Sequence, residues 1–340
     1  MGSIPTQITY TAFKGSKSGA IVETEITRDA IGPNEVLLEN QYSGLCGTDE
    51  HFAHNDIVLG HEGVGIVKEI GRDVKSLKVG DRVGVGFVRG GCGYCTSCLT
   101  GYNWFCTESP NNYGSHDHNT ATWSTHCVLP PTRLAKIPSS IPSEFAGPLM
   151  CAGQTVWLPL ARTDVRPWHT VGVVGVGGLG HLAIQFASKM GCNVVVFSGT
   201  ASKREEAFKL GASEFYTAED LGKEGMKRHF VDNLLVTTSQ LPDWSVYEPL
   251  LSNQSHIFPL TISASDISIS AMTLVGREIT THGLCASTMT QVNQMLEFAA
   301  RHKIRPMIEE FEMSESGIRD AMGRLEGGKL RYRAVLRVVR

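Results

Sequence analysis

Long apolar runs, an excess of charge of either sign and compositional bias are all missing from this chain. Nowhere do eighteen apolar residues follow one another, so the sequence predicts no membrane-spanning helix. The 340 residues carry 31 Lys and Arg against 34 Asp and Glu, a formal net charge of −3. That balance offers no electrostatic footprint for nucleic acid or for an anionic membrane surface. At 41% apolar and 19% charged, the composition excludes disordered and fibrous classes and fits about two globular domains. The first residues lack a basic stretch followed by an apolar core. The last three, ending in Arg340, form neither a prenylation nor a peroxisomal signal. The expectation is a cytoplasmic protein with no nucleic-acid or membrane partner.

Cysteine and glycine are present in informative places. There are nine cysteines and 36 glycines. An odd count in a reducing compartment points away from disulfides and toward metal. Cys92, Cys95, Cys98 and Cys106 form C-x2-C-x2-C-x7-C. Such spacing brings four thiolates onto one tetrahedral ion, a closed structural zinc site. An iron–sulfur cluster uses some similar spacings and stays open at this point.

The chain changes character along its length. Residues 1–149 read as short strands separated by Gly, Pro and Asn, for example 35–38, 63–67 and 81–85. That pattern predicts a small β-domain. A Pro-containing stretch, 137–148, intervenes. From residue 170 the pattern alternates strand and helix: strands at 171–174, 193–197, 234–236 and 256–260, helices at 177–190 and 202–210. Alternation of this kind predicts an α/β domain with a parallel, doubly wound sheet. A helix at 292–301 and a strand at 332–339 close the chain.

Gly175, Gly177 and Gly180 fit G-x-G-x-x-G, with Gly178 and Leu179 inside the motif. The motif follows a predicted strand and opens a predicted helix, the context that dinucleotide binding requires. The glycines would allow the tight turn, the approach of a pyrophosphate and close helix–strand packing, with phosphate at the helix N-terminus. An NAD site offers Asp or Glu about 20 residues on. Here the second strand ends in Ser198 and Thr200, followed by Lys203 and Arg204. Two hydroxyls and two cations in place of an acid predict NADP(H), with the 2′-phosphate on these four residues.

A second set of candidate ligands is scattered. Cys46 lies in C-G-T-D-E-H, His61 and Glu62 in G-H-E-G, and Cys151 in P-L-M-C-A-G. Two cysteines and a histidine with one open position make a catalytic zinc site. Separation in sequence alone leaves open whether the three meet.

With C-G-T-D at 46–49, G-H-E at 60–62, V-G-D-R-V-G at 79–84, the four-cysteine segment, P-L-M-C-A-G at 148–153, G-V-G-G-L-G-H at 175–181 and R-Y-R at 331–333, the chain resembles the zinc-dependent medium-chain alcohol dehydrogenases. The likeness is greatest to their cinnamyl-alcohol-dehydrogenase-like branch. The resemblance implies a GroES-like domain over 1–149 and 289–340 and a Rossmann domain over 150–288, with the active cleft between them. It implies two Zn2+ per chain. Catalytic zinc would be held by Cys46, His61 and Cys151, with Glu62 as an inner-sphere neighbour and Asp49 orienting His61. Thr48 and His51 match the family's proton relay, and a homodimer is implied. Cys127, Cys192 and Cys285 match no ligand position.

The implied activity is hydride transfer between NADP(H) and an alcohol or aldehyde, with zinc as Lewis acid. Relatives that reduce an activated C=C or C=N bond are the alternative, and a non-catalytic NADPH-binding protein on the same fold is a further rival. Retained Thr48 and His51 favour carbonyl chemistry; the intact ligand set disfavours the non-catalytic case. Two departures from the family stand out. The stretch from Cys46 to His61 is several residues short, which predicts an open site and a bulky or aromatic aldehyde. Residues 122–127 lack an expected glycine pair, so Trp123 either lines the pocket or belongs to the core. His116 and His118 read as surface loop.

Overall fold

A computed structural model describes residues 7–115, 117–221 and 223–339. His116 and the terminal residues 1–6 and 340 therefore lie outside the described residues. The chain divides into two compact units, one of residues 1–151, 286–300 and 306–340, the other of 152–285 and 301–305. Among the described residues no helix is long and apolar enough to cross a membrane.

The first unit begins with β1 (Gln7–Lys14), β2 (Val22–Asp29), β3 (Val36–Leu45), β4 (Gly63–Ile70), β5 (Arg82–Val85), β6 (Val88–Gly90), β7 (Asn111–Asn112), β8 (His126–Leu129) and β9 (Leu134–Lys136). The second unit contributes β10 (Thr170–Val174), β11 (Asn193–Ser198), β12 (Glu214–Thr217), β13 (Val231–Val236), β14 (Leu251–Pro259) and β15 (Thr280–Thr281). The chain then returns to the first unit with β16 (Ile308–Glu312) and β17 (Arg333–Arg337).

In the first unit a seven-stranded sheet runs β16-β17-β3-β4-β5-β9, with β8 also paired to β3. Its long central strand β3 alternates buried Val36 and Leu38 with half-buried neighbours and ends in a fully buried Ser43, Gly44, Leu45. Alternation buries one face of an antiparallel strand; the closing run places the strand's end, and Cys46 after it, inside the unit. One apolar cluster gathers Val36, Leu38, Val67, Val83 and Leu129. Another gathers Phe13, Leu45, Ile57, Leu59 and Trp123. Trp123 is fully buried, its indole N–H donating to the Gly44 carbonyl at 3.3 Å. Of the two places open to it, Trp123 takes the core. His118 is exposed.

The second unit is a six-stranded, all-parallel sheet in the order β12-β11-β10-β13-β14-β15. This is the doubly wound order that reverses at its first strand, here β10. Val194, Val195, Val196 and Phe197 of β11 are all fully buried, as a strand covered on both faces requires. The helix after β10 runs Gly180–Lys189, three residues shorter at its start than its apolar periodicity predicts, because the glycine turn occupies the difference. The 202–210 segment is a short 3-10 turn, Ala201–Lys203, leading into the helix Arg204–Leu210. Cys192 is buried in this unit, Cys127 is buried in the first, and Cys285 is exposed.

Candidate active site

Cys46 caps the helix Gly47–Phe52 in extended conformation, φ −125° and ψ 154°. Its backbone N–H donates to Asp49 Oδ2 at 3.0 Å. That carboxylate, buried in the helix's first turn, satisfies one of the helix's orphan donors. Its other oxygen faces His61, whose Nδ1 lies 3.0 Å away. His61 enters β4 through Gly60, whose φ of +96° suits glycine, and a Cβ there would fall 2.3 Å from Trp123. Gly44 admits Glu62 in the same way: a Cβ would fall 2.0 Å from Glu62 Oε2. Cys151 sits in a wide helical turn, Leu149–Gly153, of the kind that interrupts helices at functional sites.

These elements bring Cys46, His61, Glu62 and Cys151 together. One ligand atom from each lies within 4.8 Å of all the others. The two sulfurs are 4.0 Å apart, close to the ~3.8 Å edge of a tetrahedron with Zn–S bonds of about 2.3 Å. His61 Nε2 is buried with no hydrogen-bond partner among the described residues, as is Glu62 Oε2. Glu62 Oε1 is bound by Arg333, a buried residue on β17. The hydrogen bond from Cys151 holds the Cys46 thiol well below its ordinary range, and the same contact pushes Cys151 up. Burial pushes Glu62 up to about 7 against the charge of Arg333. Two thiols and a carboxyl, ionised beside a neutral imidazole in a dry site with one nearby cation, need further positive charge. The donor set and the orphaned Nε2 both fit a divalent, borderline-soft ion, and zinc suits them.

On the same helix the Thr48 hydroxyl lies 3.7 Å from Cys46 Sγ, and His51, three residues on, is exposed. Two residues that the sequence left without a role close the site from behind. Tyr113 donates to Asp49 Oδ1 at 2.9 Å, and Arg89 reaches the Gly60 carbonyl at 3.2 Å. The R-Y-R string contained Arg333 but gave no hint of its partner.

The four clustered cysteines also converge, all ligand atoms lying within 4.8 Å of one another. Cys92 and Cys98 sulfurs are 3.9 Å apart, Cys95 and Cys106 4.0 Å. These edges suit four thiolates on one ion; a polynuclear cluster would spread them over several irons. Backbone N–H groups of Cys92, at 3.3 Å, and Ser109, at 3.4 Å, point at Cys106 Sγ and bring it down to about 6.

In the second unit, Gly175 has φ +92°, and a Cβ on Gly180 would fall 1.9 Å from the Gly175 carbonyl oxygen. Open space surrounds Gly177 within 4 Å. Leu179 caps the following helix. No carboxylate stands at the end of β11, where Ser198, Gly199 and Thr200 follow the buried run. Lys203 Nζ donates to the Val176 carbonyl at 2.7 Å, which places the ammonium at the glycine turn. Arg204 turns the other way. It donates to the Phe215 carbonyl at 3.1 Å, lies 4.8 Å over the Phe215 ring, and comes within 3.8 Å of Asp220.

Two family models match the chain: the alcohol dehydrogenase GroES-like domain over residues 32–139 and the zinc-binding dehydrogenase over 178–301. The sequence is 32% identical over 334 residues to aldehyde reductase AdhA of Synechocystis sp., covering 96% of this chain and 97% of that one. Among solved structures, cinnamyl alcohol dehydrogenase SbCAD4 of Sorghum bicolor superposes with a TM-score of 0.89 at 29% identity, covering 97% and 98% of the two chains. A cinnamyl alcohol dehydrogenase of Helicobacter pylori complexed with NADP(H) does so with a TM-score of 0.86 at 27% identity and the same coverage.

Proposed function

The chain belongs to the zinc-dependent medium-chain alcohol dehydrogenases, in their cinnamyl-alcohol-dehydrogenase-like branch, and on that premise we propose that it reduces a bulky or aromatic aldehyde to the alcohol with NADPH. The observation that carries this reading is the buried Cys46–His61–Glu62–Cys151 cluster with its unpartnered His61 Nε2. Cys46, His61 and Cys151 would hold a catalytic zinc, leaving a position for substrate, with Glu62 as the neighbouring carboxylate. Cys92, Cys95, Cys98 and Cys106 would hold a second, structural zinc. Bound at the first set, zinc supplies a Lewis acid that polarises the carbonyl. Bound at the glycine turn, NADPH supplies the hydride, with Ser198, Thr200 and Lys203 as the candidate 2′-phosphate ligands; Arg204, the fourth that the sequence offered, is held on Phe215 instead.

The remaining chemistry falls to the chain's own groups. Asp49 holds His61 Nδ1 and so fixes the imidazole tautomer. Arg333 neutralises Glu62 inside the fold. The Thr48 hydroxyl would pass its proton to the developing alkoxide oxygen as it takes another relayed from His51, which is exposed at the last turn of the same helix and exchanges protons with water. A proton donor of this kind serves a carbonyl product better than a reduced C=C bond. A homodimer is proposed as well. The edge strand β15 has one neighbour in the sheet, and Ile262, Met272 and Val275 stand 78%, 80% and 78% exposed in the same unit. Reduced thiols and NADPH fit the cytoplasm.

The test combines metal and activity. Elemental analysis of freshly purified, unchelated protein should give two zinc per chain. Cys46→Ser should keep one and lose turnover of an aromatic aldehyde with NADPH, with folding largely spared. Normal activity in Cys46→Ser would refute the assignment.

A further inference from the structure

Tyr113 lies 64 residues from Asp49 in sequence and is 1% exposed. Its hydroxyl donates to Asp49 Oδ1 at 2.9 Å and accepts the Gly60 N–H at 3.0 Å. Its ring stacks on the His61 imidazole, centroids 4.9 Å apart and planes 27° from parallel. The Arg89 guanidinium lies 5.2 Å from the centre of the same ring. Arg89 is itself buried, forms no ion pair among the described residues, and directs its two terminal nitrogens at the carbonyls of Gly60, at 3.2 Å, and Thr120.

We propose that Tyr113, backed by Arg89, is the positioning residue that holds His61 in its metal-ligating pose; this rests on the reading of Cys46, His61 and Cys151 as a metal site. His61 can present Nε2 to the two sulfurs only while Nδ1 stays on Asp49. Asp49 Oδ2 is taken by the Cys46 N–H, and Oδ1 is shared by His61 and the phenol. With both oxygens engaged, the carboxylate cannot rotate without breaking a buried hydrogen bond. The phenol acts on the backbone too. Gly60 is the residue with the least conformational restraint in the segment, yet Tyr113 holds its N–H while Arg89 and the Thr122 N–H hold its carbonyl. One hydroxyl therefore fixes the partner of the ligand and the peptide that carries it. Stacking on the Tyr113 ring sets the plane of the imidazole.

Tyr113→Phe separates this role from plain packing, because it keeps the ring, its volume and its stacking. Outer-shell partners of metal ligands are worth about 10–100-fold in metal affinity or activity. The zinc-loaded variant and wild type are mixed with a chromogenic chelator, and metal release is followed in time. The four-cysteine site serves as an internal control. We expect release from the Cys46–His61–Cys151 site to quicken tenfold or more, with the four-cysteine phase unchanged and the thermal midpoint moved by a few degrees at most. In an Asp49→Asn background the same change should add little, since residues acting through one another are not additive. Arg89→Lys keeps the charge but gives up the fork that reaches Gly60 and Thr120 together, and it should quicken the same phase by less. That variant carries the test if Tyr113→Phe does not fold. Unchanged release in both variants, equal acceleration of both phases, or full additivity with Asp49→Asn would overturn the proposal. Wild-type protein whose only metal sits on the four cysteines, with Cys46→Ser matching it in metal content, would instead remove the metal reading on which the proposal stands.

Discussion

Lys203 and Arg204 are neighbours in sequence and part company in space. Both follow from the missing acid after β11, and the sequence treats them as a pair. A change of local conformation separates them: Lys203 ends a 3-10 turn and Arg204 begins the helix, so their side chains leave in different directions. The Lys203 ammonium reaches the glycine turn at Val176, whereas the Arg204 guanidinium is engaged by the Phe215 carbonyl and ring. A charge-assisted hydrogen bond contributes about 1.5–3 kcal/mol. Lys203→Ala should therefore lower kcat/KM for NADPH by about tenfold or more and leave NADH nearly unchanged. Arg204→Ala should lower it by less and act mainly on the melting temperature, through the lost tie to β12. Steady-state kinetics with both cofactors decides. An Arg204→Ala loss equal to that of Lys203→Ala would mean that Arg204 leaves Phe215 for the phosphate. At this scale the sequence is readable where chemistry is local. The four cysteines lie within fifteen residues, and the glycine motif within six. Tyr113, Arg89 and Arg333 gave no local signal, because their partners Asp49, Gly60 and Glu62 lie 64, 29 and 271 residues away. Cys151, 105 residues from Cys46, was a candidate by residue type, and only family resemblance joined it to Cys46 and His61.

Elements were legible in proportion to their period and length. The buried runs of β10, β11 and β13 and the apolar face of the helix after β10 stand out because burial on both sides of a parallel sheet leaves no polar alternation. The two-residue strands β7 and β15 are too short to carry any period. Between β6 and β7 the chain forms the four-cysteine lobe, and here the element has almost no core. Of residues 91–110 only Cys106 is buried, while Tyr94, Leu99 and Phe105 stand 69%, 73% and 54% exposed. The lobe's helix is a single turn, Thr96–Leu99, capped by Cys95. Apolar burial within the chain contributes little to such a segment, and on the proposal that the four sulfurs hold an ion, metal binding there is folding energy. Cys95→Ser should consequently unfold the lobe locally. Limited proteolysis should cut within 91–110, and chelated wild type should be cut at the same place. Cys46→Ser should leave the lobe protected. A lobe as resistant in Cys95→Ser as in wild type would show that packing, not metal, holds it.

For the molecule as a whole, the question is what size of substrate the first unit leaves room for. The connection from Cys46 to His61 holds 14 residues, 47–60, and the fold buries its last four. Ile57, Val58 and Leu59 are 3%, 2% and 0% exposed. The exposed turn at His54–Asp56 is drawn back onto β1 and the residues after it, with Asp56 on Lys14 at 3.3 Å and His54 near the Lys17 carbonyl at 3.4 Å. Trp123, the other candidate wall, is spent on the core beneath Gly44 and Gly60. Neither segment is free to fold over a small substrate. Apolar burial contributes roughly 25 cal/mol per Å2, so a small aldehyde left half exposed forfeits ~1–2 kcal/mol that a large one recovers along its own length. If that contact persists in the transition state, the difference is about tenfold in kcat/KM. Assayed side by side with NADPH, cinnamaldehyde and larger aromatic or polycyclic aldehydes should exceed propanal and acetaldehyde by about that factor. The gap should appear mainly in KM, because the contact is made before and during the reaction alike. Short aliphatic aldehydes turned over with the higher kcat/KM would mean that some other part of the chain closes the site and that its wall is not open.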